Sequence, residues 1–222
     1  MGTRLRPVVA DLPKPLAPVA GRPSLAWLLD AGMRAGLRRV ILATGYRSGQ
    51  IEQVVGHRWG DIEIAYSRED EPLGTGGAIG LALGQVRGDG VHLANGDTFL
   101  RYQPSAPEAA TRASGCVMGI ALARVEDVGR YGAVEITGGK VTGFSEKGGS
   151  GPGLINAGSY YLAREAFDRL PREAAWSFEE RLLRPWSERG EVAAFEATSD
   201  FIDIGVPEDY ARAQAMFAAT GA

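Results

Sequence analysis

The chain has 222 residues, with hydrophobic side chains at 45%, charged ones at 23% and a formal net charge of -3. That composition suits one large globular core, and it excludes both a disordered chain and a nucleic-acid binder working through a general basic field. A single cysteine, Cys116, rules out an internal disulfide, and no run approaches the roughly 18 apolar residues of a membrane span, so a cytoplasmic protein with no membrane or nucleic-acid partner is expected.

The opening stretch, Gly2-Thr3-Arg4-Leu5-Arg6-Pro7 followed by Lys14-Pro15, combines a glycine turn with three cations. Read alone it is either a solvated basic tail or half of a phosphate cradle, in which freed backbone N–H groups, guanidinium forks and an ammonium surround an anion. Pro23 to Gly36 then spaces Leu25, Leu28, Leu29 and Met33 as one helix face, with proline near its start and glycine at its stop. Arg39 to Thr44 reads as a buried parallel strand, Gln50 to Val55 as a short helix and Ile62 to Tyr66 as the next strand. Leu73-Gly74-Thr75-Gly76-Gly77-Ala78-Ile79 opens a small-residue helix ending near Leu83, and Gly90 to Ala94 is a strand closing on Asn95-Gly96-Asp97. Helix and strand alternate with short connections, which predicts right-handed β-α-β units on a parallel sheet; ligands of such sheets lie at strand carboxyl ends, where Asp97 and the Gly74 to Gly77 turn fall.

From Ser114 the texture changes. Cys116 to Ala123 is a strand, and Ala133 to Ile136 and Val141 to Phe144 flank a Gly138-Gly139 hairpin turn. Leu154 to Leu162 is a further strand, Glu165 to Leu170 and Ser177 to Glu188 are helices, Val192 to Glu196 is a strand and Glu208 to Ala218 a closing amphipathic helix. No repeat, low-complexity linker or clean domain boundary interrupts the chain.

Several chemistries are poorly supplied. His57 and His92 neighbour no nucleophile or metal-ligand partner in sequence, and Cys116 lies in a valine-containing strand where a thiol acts as a small hydrophobe. Ser-His-Asp, Cys-His and zinc sites therefore lack parts. Nucleotidyl or phosphoryl transfer needs cations, a metal and rigid positioning instead. Arg4, Arg6 and Lys14 are cations, and Asp97 and Asp203 are hard oxygen donors of the kind Mg²⁺ takes. Each aspartate alone reads equally well as a turn cap. Glu146-Lys147 at the hairpin end reads as a solvated pair or as a ligand contact. Asn156, in an otherwise apolar strand, needs a partner in the protein or a ligand, because an unpaired amide there costs about 1–3 kcal/mol.

Taken together, Gly2-Thr3-Arg4-Leu5-Arg6-Pro7 with Lys14-Pro15, Leu73-Gly74-Thr75-Gly76-Gly77-Ala78, Asn95-Gly96-Asp97, Arg130-Tyr131-Gly132, Glu146-Lys147, Asn156-Ala157-Gly158 and Phe201-Ile202-Asp203-Ile204-Gly205 resemble the sugar-1-phosphate nucleotidylyltransferases, in order and over nearly the whole chain. Within that family the wording is most similar to the D-glycero-α-D-manno-heptose 1-phosphate guanylyltransferases; relatives acting on mannose 1-phosphate or N-acetylmuramate 1-phosphate share much of it. A non-catalytic sugar-nucleotide-binding relative is the rival of another class.

The resemblance implies an α/β, Rossmann-like (GT-A-like) three-layer fold with a mixed, mainly parallel central sheet. It implies one domain, 1–222, with a nucleotide-binding half at 1–113 and a sugar-phosphate-binding half at 114–222. It also implies an NTP, GTP for this wording, and a sugar 1-phosphate as substrates, with Mg²⁺ as cofactor. Gly2, Thr3 and Arg4 would hold the triphosphate, Lys14 the attacked phosphate, and Asp97 and Asp203 the metal. Gly74, Thr75, Gly76 and Gly77 would pass the base and ribose, glycine permitting close backbone approach. Gly132, Glu146 and Asn156 would face the sugar and Lys147 its phosphate. Family members open with a strand and the form Leu-Ala-Gly-Gly-x-Gly-Thr-Arg-Leu-Arg; this sequence starts at x, so the first strand is expected to be missing, with Met1 an internal methionine.

Overall fold

The structure, a computed structural model, describes residues 12–45, 47–205 and 207–220. The expectations for Gly2, Thr3, Arg4 and Arg6 lie outside the described residues. Two compact units form: one takes the chain up to Arg68, Asn95–Arg101 and the chain from Asp200, the other Glu69–Ala94 and Tyr102–Ser199. The change of texture at residue 114 falls inside the second unit.

In the first unit, Pro23 leads into the helix Ser24–Arg34 and Gly36, at φ +87°, follows its end. Leu25 and Leu29 bury the predicted face against Ile51, Val55, Ile62 and Ile64, each such side chain stabilising the fold by roughly 1.5–3 kcal/mol. Arg39–Thr44 pairs in parallel with Ile62–Arg68, as the β-α-β pattern requires. The first of these strands is less buried than its sequence suggests: Arg39 to Leu42 are half-buried and Ala43 is exposed. Among the described residues it pairs on one side only, so water reaches what a central strand would cover.

A second apolar cluster in this unit joins Val19, Trp27, Phe99, Ile202, Ile204 and Phe217. The indole N–H of Trp27 donates to the Val19 carbonyl at 3.0 Å, and Phe217 of the closing helix Pro207–Thr220 packs on Trp27 and edge-on to Phe99. Here the short strands Thr98–Arg101 and Ser199–Asp203 pair with one another.

The second unit is built on a six-stranded mixed sheet in the order Gly90–Ala94, Gly153–Ala163, Met118–Val125, Val192–Phe195, Lys140–Phe144, Val134–Thr137. Val192–Phe195 runs parallel to Met118–Val125; the other ladders of this sheet are antiparallel. Parallel pairing thus dominates less than the alternation of elements suggests: apart from the hairpin Val134–Thr137/Lys140–Phe144, neighbours in this sheet are distant in the chain and most of them meet antiparallel. Gly138 and Gly139 both take positive φ between Thr137 and Lys140, the two-residue turn that the Gly-Gly step predicts.

Three helical segments depart from the sequence pattern. The helix Ser105–Ala113 has no predicted counterpart; it carries no leucine stripe, and it seats Thr111 over Gly119, where a Cβ would lie 2.1 Å from the threonine hydroxyl. The segment predicted as one helix over Ser177 to Glu188 makes a π turn at Glu179–Leu183 before the α-helix Arg184–Glu188, since Pro185 offers no N–H to the carbonyl four residues back. Arg164–Arg169, which overlaps the stretch Glu165 to Leu170 read as a helix, is 3₁₀. Among the described residues no helix is long and apolar enough to cross a membrane.

His92 sits opposite Tyr161 on the Gly90–Ala94 strand, with their rings 5.1 Å apart and its Nε2 3.8 Å from Glu108; Arg112 donates to the Tyr161 hydroxyl at 2.8 Å. Burial pushes the imidazole below its ordinary value, with Glu108 opposing the shift. The unfolded chain therefore binds this proton more readily, so stability is full above about pH 6.5 and declines as pH falls from there towards the lower folded value. Thermal melts between about pH 7 and 5 should show this decline, and it should be shallower in His92→Gln; identical slopes in the two proteins would refute the assignment.

Candidate active site

Lys14 lies in a 3₁₀ turn, Lys14–Leu16, anchored by buried Leu16 and by the Ser24 hydroxyl donating to the Pro15 carbonyl at 2.9 Å. Its Nζ reaches Asp97 Oδ2 at 3.1 Å. Asp97 precedes Thr98–Arg101, and its carbonyl accepts the N–H of Ile204 at 3.0 Å, one residue beyond Asp203. The paired strands thus carry two aspartates, far apart in sequence, to one place. Ile202 and Ile204 are almost wholly buried on either side of Asp203 and fix its backbone.

The turn-capping alternative is also real for Asp203, whose Oδ1 accepts the Gly205 N–H at 2.8 Å. That bond uses one oxygen and leaves the carboxylate among charges. Burial raises the Asp203 pKa; the Gly205 bond opposes this, Asp97 adds to it, and Lys14 opposes it. A Cβ at Gly205 would lie 2.7 Å from Asp203 Oδ1 and 3.0 Å from Lys14 Nζ, so glycine leaves that space to the two charged groups. Two hard carboxylates, one of which raises the other's pKa, suit a divalent cation, which would relieve the repulsion, and Asp97 and Asp203 are the residues that would hold it. Among the described residues no group of three or more His, Cys, Asp and Glu converges.

In the second unit, the helix Gly74–Leu83 opens with the glycine run. Its missing side chains are used by the protein itself: a Cβ at Gly76 would lie 2.1 Å from the Trp176 ring, one at Gly74 2.7 Å from the Trp176 carbonyl and one at Gly77 2.1 Å from the Ala174 carbonyl. Backbone bonds stitch the same parts together, Gly76 N–H to Trp176 O and Trp176 N–H to Leu73 O, both 2.9 Å, and the Phe178 N–H donates to the Thr75 hydroxyl at 3.0 Å. Trp176 escaped sequence reasoning because nothing local links it to a turn a hundred residues upstream; the clustering of glycines was the available signal.

Gly132, at φ +83°, packs against the Ser145 carbonyl, where a Cβ would come within 2.5 Å, and the Gly148 N–H donates to the Gly129 carbonyl at 2.8 Å. This brings Gly132 beside the Ser145–Glu146 backbone. Glu146 and Lys147 are exposed. Asn156 stands elsewhere on the sheet, opposite Leu122, at a bulge that displaces Ala157 and Gly158. Its Oδ1 accepts the Gly158 N–H and the Tyr160 hydroxyl, each at 2.9 Å, so the partner that its burial demanded is supplied by the protein.

A family model described as Nucleotidyl transferase matches residues 1–220. The chain is 36% identical over 214 residues to the D-glycero-α-D-manno-heptose 1-phosphate guanylyltransferase of Aneurinibacillus thermoaerophilus, covering 96% of this chain and 93% of that protein. It is 33% identical to a mannose-1-phosphate guanylyltransferase of Mycobacterium tuberculosis, of which the match covers 61%. Among solved structures, HddC from Yersinia pseudotuberculosis complexed with GMP-PN has a TM-score of 0.84 and 34% identity, covering 98% of this chain and 95% of that one.

The glycine run offers a direct test of its packing role. Gly76→Ala should destabilise the protein by about 1–3 kcal/mol through overpacking against Trp176. Gly80→Ala, on the same helix with nothing within 4 Å of its added Cβ, should be neutral or stabilising by up to about 1 kcal/mol. Equal denaturation midpoints for the two variants would remove the Trp176 argument.

Proposed function

The chain belongs to the nucleotidyl transferase family, and from that premise we propose that it transfers the guanylyl group of GTP to D-glycero-α-D-manno-heptose 1-phosphate, releasing pyrophosphate. The observation that carries this reading is the convergence of Lys14, Asp97 and Asp203 in one cluster. A half-buried ion pair contributes on the order of 1 kcal/mol or less to stability, so packing alone gives little reason for a lysine and two mutually repelling carboxylates to share a site. An anionic substrate and a cation give that reason.

Members of this family generally use a divalent metal, and Mg²⁺ is the proposed ion. Bound by Asp97 and Asp203 it would neutralise charge on the reacting phosphates. Lys14 contributes a fixed positive charge at the phosphate under attack, and Gly2, Thr3 and Arg4 hold the triphosphate. The nucleophile is a phosphate oxygen of the sugar phosphate, already mostly ionised near pH 7 because its second pKa is about 6, so no general base is needed. This agrees with the surroundings of the two histidines, His57 lying edge-on to Tyr66 and His92 beside Tyr161. With the Gly74, Gly76 and Gly77 side-chain positions filled by Trp176 and Ala174, the nucleotide would meet the backbone of this turn from its other side. Gly132, Glu146 and Asn156 take the sugar, and exposed Lys147 its phosphate. The guanine and heptose assignments follow the Aneurinibacillus relative; the Mycobacterium relative supports mannose 1-phosphate as the second reading.

Purified protein with Mg²⁺, GTP and the heptose 1-phosphate should release pyrophosphate, chelation by EDTA should stop it, and Asp97→Ala or Arg4→Ala should lower kcat by about two orders of magnitude or more. Full activity in Asp97→Ala would overturn the metal assignment. A panel of four nucleotides against heptose, mannose and N-acetylmuramate 1-phosphates identifies the substrate pair as the one with the highest kcat/KM.

A further inference from the structure

The amide of Asn156 is held in one orientation by its neighbours. A side-chain carbonyl oxygen has two lone pairs, and here both are used, one by the Gly158 N–H and one by the Tyr160 hydroxyl, each at 2.9 Å. Turning the amide over would set its NH₂ group against the Gly158 N–H, which cannot accept, so that bond decides which end is which, and the Tyr160 hydroxyl, able to donate or accept, holds the chosen end in place. No side-chain or backbone acceptor among the described residues takes the Nδ2 protons, and Nδ2 is not among the buried polar atoms left without a partner. The amide therefore presents two open donors.

Gly158 supplies its bond through the bulge itself, since the chain at φ +67° folds the N–H back towards the residue two positions earlier. Tyr160 supplies the other by design of its surroundings. Its ring is buried and meets Phe178 edge-on at 4.9 Å between centroids, and the Phe178 N–H is bonded to the Thr75 hydroxyl at 3.0 Å. The tyrosine hydroxyl thus cannot swing away from Asn156 without disturbing the segment that seats the Gly74–Leu83 helix. Burial also drives the phenol pKa well above its ordinary range, so the hydroxyl keeps its proton at every working pH.

We propose that Tyr160 is a positioning residue for sugar recognition: with the Gly158 N–H setting which end of the Asn156 carboxamide faces inward, the Tyr160 hydroxyl fixes its place so that Nδ2 is offered to an acceptor oxygen of the sugar 1-phosphate. The proposal rests on the reading of Asn156 as a sugar contact and adds the residue that aims it. Ring and hydroxyl oxygens of the sugar both accept from such a neutral NH₂ donor.

Steady-state kinetics with GTP and the sugar 1-phosphate test it. Tyr160→Phe removes one hydroxyl and keeps the ring on Phe178; KM for the sugar 1-phosphate should rise roughly three- to tenfold, the effect of one neutral hydrogen bond, with kcat and KM for GTP within about twofold of the parent. Asn156→Ala should raise the same KM by at least as much, and adding Tyr160→Phe to it should change nothing further. Asn156→Asp keeps an oxygen for Gly158 and Tyr160 but replaces the outward donor by an acceptor, so it should raise KM at least as much as Asn156→Ala. If Asn156→Ala raises KM and Tyr160→Phe does not, or if Tyr160→Phe weakens both substrates equally, the role of Tyr160 is overturned while the sugar contact stands. If Asn156→Ala or Asn156→Asp leaves KM for the sugar at the parent value, the sugar contact itself falls and the proposal with it.

Discussion

The charged cluster of the first unit depends on the pairing of two short strands, Thr98–Arg101 and Ser199–Asp203. Neither strand is long enough to be stable by itself, and the pairing is held by the apolar cluster of Phe99, Ile202, Ile204, Trp27 and Phe217 beneath it. Each of those side chains contributes roughly 1.5–3 kcal/mol on burial. Their sum outweighs the electrostatic cost of setting Asp203 in a buried place near Asp97, a cost visible in its raised pKa. Lys14 offsets part of it from a turn that is itself tied to the Ser24–Arg34 helix. Hydrophobic burial thus supplies the free energy that holds the charged cluster together.

The second unit solves a different problem, the placement of polar groups on a sheet whose strands are mostly apolar. The bulge at Asn156 to Ser159 lets one amide leave the ladder while keeping its carbonyl satisfied, and Gly158 provides the left-handed conformation that the bulge needs. The glycines of the Gly74–Leu83 helix work in the opposite sense. They are less an invitation to a ligand than a socket for the Trp176 ring and for the backbone at Ala174 and Trp176. One socket then holds Phe178 and, through it, Tyr160. Packing of this kind holds the Asn156 amide and its two donors in fixed register.

Much of this was legible in the amino-acid order. The helix Ser24–Arg34, the parallel pair Arg39–Thr44 and Ile62–Arg68, the Gly138-Gly139 turn and the closing helix follow from periodicity and from glycine and proline at their stops, which are local properties. The family, too, could be read from motifs in register along the chain. The helix Ser105–Ala113 was not legible, because its stability comes from docking onto Gly119 rather than from an apolar stripe of its own. Neither was the π turn at Glu179–Leu183, which answers a missing N–H at Pro185 within an otherwise helical pattern.

By itself the sequence determined which chemistry the chain could perform: it supplied cations, two aspartates and an amide, and it withheld any nucleophile or zinc set. Tertiary structure decided which of those groups act together. Lys14, Asp97 and Asp203 meet because strands distant in the chain share one apolar cluster, and Asn156 has a defined face because Tyr160 and Gly158 occupy its carbonyl. The physical reason is range: periodicity and turn propensity act over a few residues, whereas burial and electrostatics act between whatever residues the fold brings within a few ångströms of one another.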